Sequence, residues 1–262
     1  MFLSLAEQSQ RLSFQTVQTN GWTTQERSAS TCTHDVPFFL ALDFYNRPCS
    51  EAVRNRMIEI QQFENIKQKH GSYASWAVWA DASEKPKSNM GDVSHFKNES
   101  VLSVLKNDVV MVGLNISRPV SEPFVNFHDP NPRANDFKIR YAFKDSAYYG
   151  AYMTDIIKGL EEVMSSNVMK CLKEHPEIIE KHLKTFREEM QDLKATAPVI
   201  LAFGRDTHKL LSENLNKNEY RRLIRLTHYS HHIGKEAYKE IVLKEIAIVL
   251  MRKMGRPCSS SP

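Results

Sequence analysis

The chain has 262 residues, is 41% hydrophobic and carries a net charge of +4, which is ordinary for a globular protein and compatible with a nucleic-acid partner. No apolar run approaches the ~18 residues of a membrane-spanning helix and the start lacks a basic signal segment, so we expect a cytoplasmic protein without a membrane partner. Four cysteines without a C-x-x-C pair give no support to a zinc ribbon or a redox motif and predict free thiols.

The N-terminal third consists of two segments that differ in composition. Residues 1–35 are rich in Ser, Thr and Gln and predict a poorly ordered or loosely packed arm. Residues 36–105 contain a dense apolar run, Trp76 and Trp79, and a helical pattern that ends at Gly71. Aromatic residues at this density are more often buried than exposed, so we expect an elaboration that packs on the following domain. A partner-binding surface is the alternative.

From residue 106 onward, short apolar runs alternate with helical patterns. The strands are predicted at 109–114, 151–157, 199–203 and 223–227, and the helices at 160–167, 176–193, 207–214 and 235–251. This alternation predicts an α/β fold in which residues 106–254 form a three-layer α/β/α domain around a mostly parallel, four-stranded sheet.

Polar residues follow each of the four predicted strands. Because the carboxyl ends of parallel strands meet at one edge of a sheet, we expect these residues to converge on one site. They are Asn115 after the first strand, Asp155 and Lys158 at the second, Arg205 after the Gly204 turn that follows the third, and His228, Ser230 and His231 after the fourth.

The ordered set of strand ends resembles the motifs of the uracil-DNA glycosylase superfamily. Gly-Leu-Asn at 113–115 is similar to the water-activating Gly-x-Asn of its mismatch-specific, single-strand-selective and family-4-like members, and LTHYSH is similar to their His-Pro-Ser motif. AYMTDIIK resembles the strand that carries the base-reading residue, and Pro-Phe-Val at 123–125 the segment that places an aromatic ring under the base. The resemblance covers residues 108–250, a little over half of the chain.

The resemblance implies an enzyme that flips a base out of DNA and hydrolyses its N-glycosidic bond without a cofactor or a metal ion. Asn115 would orient the attacking water, and His228 would stabilise the negative charge that develops on the departing base. The alternatives are a capping role for Asn115 and a solvated, structural His228. His231 and His232 lie close to His228, but no carboxylate or Cys spacing matches a metal site.

The base pocket implied by the resemblance contains Gly113, Leu114, Phe124 and Asp155. Phe124 fits the family segment better than Phe127, the other aromatic candidate, and core packing is the alternative for both. Asp155 stands where Asn is usual. An ionised carboxylate accepts from the N4 amino group of cytosine or from uracil N3–H, whereas a protonated one donates. We expect Asp155 to shift preference from plain uracil toward cytosine-like or modified bases, unless it caps a turn.

The DNA-binding surface is predicted from residues around the same strand ends. Cations there would contact phosphates, and Ile233 lies where the superfamily inserts a wedge into the minor groove. The set comprises Arg118, Lys158, Arg205, Ser230, His231, Ile233 and Lys235. A solvated helix face is the alternative for the cations.

Two departures from the superfamily motifs leave two functions open. Ile116 follows Asn115 and Tyr229 follows His228, where the superfamily has proline in both places. The sequence therefore predicts either a DNA glycosylase that removes uracil or a modified pyrimidine, or a catalytically silent nucleic-acid- or protein-binding module with the same fold. A different nucleotide-binding α/β protein is not supported, because neither G-x-G-x-x-G nor G-x-x-x-x-G-K-[ST] occurs.

Overall fold

The structure, a computed structural model, describes residues 58–118 and 120–251. The predictions for residues 1–35, for the apolar run that precedes residue 58 and for 252–254 lie outside the described residues. The elements are α1 (Ile60–His70), β1 (Ala74–Trp76), two 3-10 turns (Ser94–Lys97 and Glu99–Ser103), β2 (Lys106–Asn115), α2 (Asp136–Phe143), β3 (Ala151–Ile157), α3 (Ser165–Glu174), α4 (Pro176–Asp192), β4 (Val199–Phe203), α5 (Arg205–Asn214), β5 (Arg222–Leu226) and α6 (Lys235–Met251).

The strands form one five-stranded sheet in the order β1-β3-β2-β4-β5. Strands β2 to β5 are parallel to one another, and β1 pairs with β3 in the antiparallel direction at the edge. The predicted α/β class and the mostly parallel sheet are confirmed. The expected count of four strands was too low, because Ala74–Trp76, inside the predicted elaboration, adds an antiparallel edge strand.

The helix predicted over residues 160–167 begins only at Ser165. The carbonyls of Leu160 and Glu162 accept hydrogen bonds from the side chain of Asn115 at 2.9 and 2.7 Å. They are therefore occupied by a tertiary contact in place of helical amides, and this part of the chain is a loop. The other three predicted helices correspond to α4, α5 and α6.

Helices cover both faces of the sheet, in three layers. Alternate side chains of a strand point to opposite faces, and along β2 Val110 and Val112 join one hydrophobic cluster while Met111 joins the other. The first cluster includes residues of α1, α3, α4 and α5, and the second includes residues of α2 and α6. Because helices cover both faces of the sheet, a binding site is expected at the carboxyl ends of the parallel strands.

Residues 58–105 share the core of the sheet. Trp76 of β1 is fully buried, and its ring meets Tyr152 of β3 edge-on with the centroids 5.1 Å apart. Trp79 is 3% exposed. The burial that the aromatic content predicted is confirmed for both tryptophans, and β1 extends the sheet itself.

A buried ion pair holds the carboxyl end of β3. Lys158 Nζ lies 2.5 Å from Glu189 Oε1 of α4 and donates a 2.6 Å hydrogen bond to the backbone carbonyl of Asp155. The other Glu189 oxygen accepts from the Tyr152 hydroxyl at 2.9 Å. Glu189 has no exposed surface. Lys158 is therefore part of the core, and the sequence-based prediction that it faces DNA was wrong, because a neighbouring helix supplies its counter-charge.

Replacing Lys158 by Met leaves the buried charge of Glu189 without a counter-charge. We expect the free energy of unfolding to fall by about 3–5 kcal/mol, measured by denaturant titration. Adding Glu189→Gln, which keeps an acceptor for Tyr152, should recover much of the loss. The control is Lys170→Met, which removes a solvent-exposed pair with Glu174 and should cost less than about 1 kcal/mol. Equal costs for the two lysine variants would contradict this account.

Candidate functional site

A cleft of about 240 Å³ opens at the carboxyl ends of β2 and β3. The strand order turns here, because β3 lies on one side of β2 and β4 on the other, and such switch points are where open α/β sheets bind ligands. The loop between β2 and α2 and the segment after β5 complete the walls. The residues that matter below are Asn115, Asn126, Phe127, Asp136, Asp155 and Tyr229.

Asn115 ends β2 and lines the cleft. Its Nδ2 donates to the carbonyls of Ile116, Leu160 and Glu162 at 3.2, 2.9 and 2.7 Å. The two hydrogens of Nδ2 are shared among these three carbonyls, which identifies the other terminal atom as Oδ1. Oδ1 forms no hydrogen bond with residues 58–118 or 120–251. It can accept a hydrogen bond from a water or a ligand in the cleft.

Asp155 reaches the cleft through a close approach to β2. Its register partner is Gly113, and a Cβ at position 113 would lie 2.1 Å from Asp155 Oδ1. The second carboxyl oxygen, Oδ2, accepts from Asn126 Nδ2 at 2.8 Å, and the same nitrogen donates to the Tyr73 carbonyl. The carboxyl group is thus held between a glycine and an amide. Gly113, predicted to contact the base, instead makes room for Asp155.

A methyl group at position 113 should displace Asp155. We expect Gly113→Ala to lower the free energy of unfolding by about 1–3 kcal/mol, because the carboxyl is fixed by Asn126 and cannot retreat freely. Combining it with Asp155→Ala removes the clash and should restore part of the loss, a coupling that denaturant titration of the four proteins measures. Gly234→Ala, whose nearest contact would be an ordinary 3.5 Å, is the control. Strict additivity of the two changes would refute the close approach.

Burial is the main influence on the pKa values of the two buried carboxyl groups in the cleft, Asp155 and Asp136. It raises the pKa of Asp155 to about 7, against the opposing effects of the Asn126 hydrogen bond and the Lys158 charge. Burial likewise raises the pKa of Asp136 to about 6, although the backbone N–H of Asp129 donates to it. Asp155 therefore exists in both forms near neutral pH. It can accept a hydrogen bond when ionised and donate one when protonated.

Because its pKa is raised, Asp155 should contribute less to the stability of the folded protein as the pH rises. The folded protein holds this proton more tightly than the unfolded chain, so the contribution of Asp155 to stability is complete below pH ~4 and is lost as the pH rises through 7. Asn does not titrate. We expect the unfolding free energy of Asp155→Asn, relative to the unchanged protein, to increase by roughly 2–4 kcal/mol between pH 4 and pH 8.

Urea titrations across this pH range provide the measurement. The control is Asp92→Asn, because Asp92 is exposed and its hydrogen bonds from Ser94 lower its pKa. Its difference from the unchanged protein should stay flat above pH 5. Parallel pH profiles for Asp155→Asn and the unchanged protein would show that the carboxyl is not buried as described.

Of the two aromatic candidates, Phe127 and not Phe124 lines the cleft. Phe124 has no exposed surface, and its ring packs against Phe63 and Phe96 with centroids 5.3 and 5.2 Å away. Phe124 therefore belongs to the first hydrophobic cluster, whereas Phe127, which is 3% exposed and packs in the second cluster, reaches the wall of the cleft. Leu114 is buried in the first cluster and, like Phe124, does not line the cleft.

Tyr229 lines the cleft in the place expected for His228. The His228 ring lies behind it, stacked on Tyr229 with centroids 4.3 Å apart and an angle of 23°. Burial lowers the pKa of His228 to about 4, so the ring is neutral at pH 7. Its Nδ1 accepts from the N–H and the hydroxyl of Ser230, which leaves the ring proton on Nε2. The structure does not bring His228 to the same cleft as Asn115.

The predicted DNA-contacting cations are largely neutralised by acidic neighbours. Arg118 lines the cleft but pairs with Asp129 at 2.9 Å. Lys235 pairs with Glu236 and lies over the Tyr141 ring at 4.2 Å. Pairing of this kind leaves little net charge for phosphates.

The remaining predicted contacts differ in exposure. Arg205 is 84% exposed, with Asp206 at 3.7 Å, and remains open to a phosphate. His231 is exposed, and its carbonyl accepts from Lys138 Nζ. The Ser230 hydroxyl is hydrogen-bonded to His228 Nδ1 at 2.8 Å. Ile233 is partly buried and packs against the second hydrophobic cluster, and its role as a minor-groove wedge stays a prediction.

Sequence reasoning missed Asn126, Asp136 and Tyr229. Asn126 lies in the loop between β2 and α2, and Asp136 is the first residue of α2. Hydrophobic periodicity does not predict the backbone path of such a loop. Tyr229 was noted only as a departure from proline. Its position directly after His228 could have indicated that it faces the site. Adjacent residues on a turn point in different directions, so either of the two can face the cleft.

The protein is an α/β protein with a small, polar cleft at the carboxyl edge of a mostly parallel sheet. Comparison of the chain with protein-family models, with curated proteins and with solved structures finds no match in any of the three. Among residues 58–118 and 120–251, no helix is long and apolar enough to cross a membrane, and no group of three His, Cys, Asp or Glu residues is placed to hold a metal ion. Function must be argued from the cleft.

Proposed function

We propose that the protein is a DNA glycosylase of the uracil-DNA glycosylase type, which hydrolyses the N-glycosidic bond of a flipped uracil or modified pyrimidine. The observation that carries the proposal is that Asn115 and Asp155, from two neighbouring strands, line one cleft together with the aromatic ring of Phe127. An amide, a carboxyl and an aromatic ring are the groups that a base-recognising hydrolase needs. The cleft is slightly smaller than the ~300 Å³ lower bound for drug-sized ligands, which suits a single ring.

In this proposal the base stacks on Phe127 and is recognised by Asp155. Asn126 fixes the direction of the carboxyl group by donating to Oδ2, while Oδ1 lies over Gly113 and receives no hydrogen bond from the described residues. An ionised Asp155 accepts from an N–H or an amino group of the base, and burial makes that hydrogen bond strong. The expected preference for cytosine-like or modified pyrimidines over plain uracil follows from the acceptor character of the carboxylate.

Asn115 holds the water. Its Oδ1 accepts a hydrogen bond from the water, while the three carbonyl acceptors keep the amide from rotating. The bond between the base nitrogen and C1′ breaks, and the base takes the electron pair. The water oxygen adds to C1′ and its proton passes to the departing base, so the products are a free base and an abasic sugar. An amide is a weak base, so the rate would depend on stabilising the leaving group.

The second candidate is a catalytically silent binding module. The acidic character of the cleft favours it, because Asp129, Asp136 and Asp155 lie there with Arg118, and Arg118 is already paired with Asp129. An excess of carboxylates repels phosphate groups. The Tyr229 ring also occupies the side of the cleft where a catalytic His was expected.

Excision from a panel of oligonucleotides separates the two candidates. The panel carries uracil, cytosine or a 5-substituted pyrimidine at one position, in single- and double-stranded form. We expect the unchanged protein to release one of these bases and Asn115→Ala to be slower by about 100-fold or more, as for loss of one positioned polar group in a site. Asn167→Ala, an exposed amide on α3, is the control and should retain full activity.

The base preference tests Asp155 separately. Asp155→Asn should shift the preference toward uracil, because an amide both donates and accepts. Absence of excision together with base-dependent binding that Asp155→Asn changes would favour the silent module. Excision that Asn115→Ala leaves unchanged would overturn the proposed role of the amide. Absence of both excision and base-dependent binding would overturn the glycosylase and any silent module that recognises bases.

A further inference from the structure

Tyr229 is the cleft residue that neither the motif resemblance nor the proposed reaction uses. Its ring is clamped by three aromatic neighbours. It meets Phe203 edge-on at 5.4 Å and Phe127 edge-on at 6.5 Å between centroids, and it stacks on His228 at 4.3 Å. Such edge-to-face and stacked contacts restrict the ring to one orientation. The hydroxyl is therefore carried at a defined position.

That hydroxyl is available for a ligand. Tyr229 lines the cleft, and its hydroxyl forms no hydrogen bond with the residues that the structure describes. Tyr229 is only partly buried, so its hydroxyl can be reached by water or by a ligand in the cleft. The nearby carboxyl groups of Asp136 and Asp155 do not accept its proton, although they lie close enough to raise its pKa.

Its neighbours keep Tyr229 protonated. Burial raises the pKa of the phenol well above its ordinary value, and the charges of Asp136 and Asp155 raise it further. The hydroxyl is therefore protonated, and able to donate a hydrogen bond, at neutral pH. The cleft otherwise presents acceptors, namely Asn115 Oδ1 and the Asp155 carboxylate. Tyr229 adds the donor that this side of the cleft needs to bind a carbonyl oxygen.

We infer that Tyr229 is a specificity-determining and catalytic residue of the cleft, donating a hydrogen bond to a carbonyl oxygen of the bound base while Asp155 accepts from a ring N–H or an amino group. The ligand class is a planar heterocycle that carries a carbonyl group and an N–H or amino group at its edge. This inference rests on the proposed function and places Tyr229 in the position that the motif resemblance gave to His228.

The same hydrogen bond would assist bond cleavage. As the N-glycosidic bond breaks, the electron pair moves onto the base, and part of the negative charge collects on its carbonyl oxygen. A donor aimed at that oxygen stabilises the departing anion more than the intact base, so it lowers the barrier. The Tyr229 proton stays on the phenol throughout. His228 then acts as a positioning residue, because its neutral ring supports one face of Tyr229.

Binding of free bases to the full chain tests the hydrogen bond. The probes are uracil, 2-thiouracil and 4-thiouracil, which share a ring and its N–H groups but exchange one carbonyl oxygen for sulfur, a weak acceptor. Calorimetry with the unchanged protein should show that one thio analogue binds roughly 3- to 10-fold more weakly than uracil, the effect of one neutral hydrogen bond. Tyr229→Phe should weaken uracil binding by the same factor and should bind that analogue and uracil equally.

Two controls separate a structural effect from the proposed one. Tyr229→Phe keeps the ring contacts, so its midpoint of thermal unfolding should match that of the unchanged protein. Tyr141→Phe removes the hydroxyl of an exposed tyrosine and should leave all three affinities unchanged. In excision assays, Tyr229→Phe should lower kcat more than it changes KM.

The outcomes distinguish this inference from the proposed function. Equal discrimination between uracil and its thio analogues by the unchanged protein and by Tyr229→Phe would overturn the role of Tyr229 alone. Failure of the unchanged protein to bind any of the three bases, together with no excision, would overturn the proposed function and the inference with it. Loss of discrimination in Tyr229→Phe with its folding unchanged supports both.

Discussion

The close approach between Asp155 and Gly113 is the contact on which the rest of the site depends. Parallel pairing of β2 and β3 places the two residues in register, and the missing side chain of Gly113 leaves the space that Asp155 Oδ1 occupies. Asn126 fixes the other oxygen, and so ties the β2–α2 loop to β3. That loop carries Phe127 into the cleft. One glycine therefore positions a carboxyl, an amide and an aromatic wall together.

Charge is distributed differently in the fold than along the chain. The net charge of +4 suggests a basic binding surface, but several cations near the strand ends are neutralised by acidic neighbours. The pairs are Lys158 with Glu189, Arg118 with Asp129, and Lys235 with Glu236. The cleft keeps its carboxyl groups, and burial rather than any basic neighbour determines how strongly they hold their protons. Recognition in the cleft is accordingly a matter of hydrogen bonds more than of net charge.

The candidate site was predictable where it follows from strand ends and unpredictable where it follows from loops. Asn115 and Asp155 end parallel neighbouring strands, so their convergence follows from the topology. The choice between Phe124 and Phe127 depends on the backbone of the connecting loop, where both residues have positive φ values, 68° and 63°. The same holds for His228 and Tyr229, which are adjacent on a turn and face different surroundings.

The sequence by itself determined the α/β class, the four parallel strands and the helices α4, α5 and α6, because hydrophobic periodicity and capping are local properties. Tertiary structure alone decided the fifth strand, since β1 is short and exists through its pairing with β3. It also decided that Lys158 is buried and that Tyr229 faces the cleft, because both depend on side chains far away in the chain. Long-range partners determine burial and direction, and periodicity does not encode them.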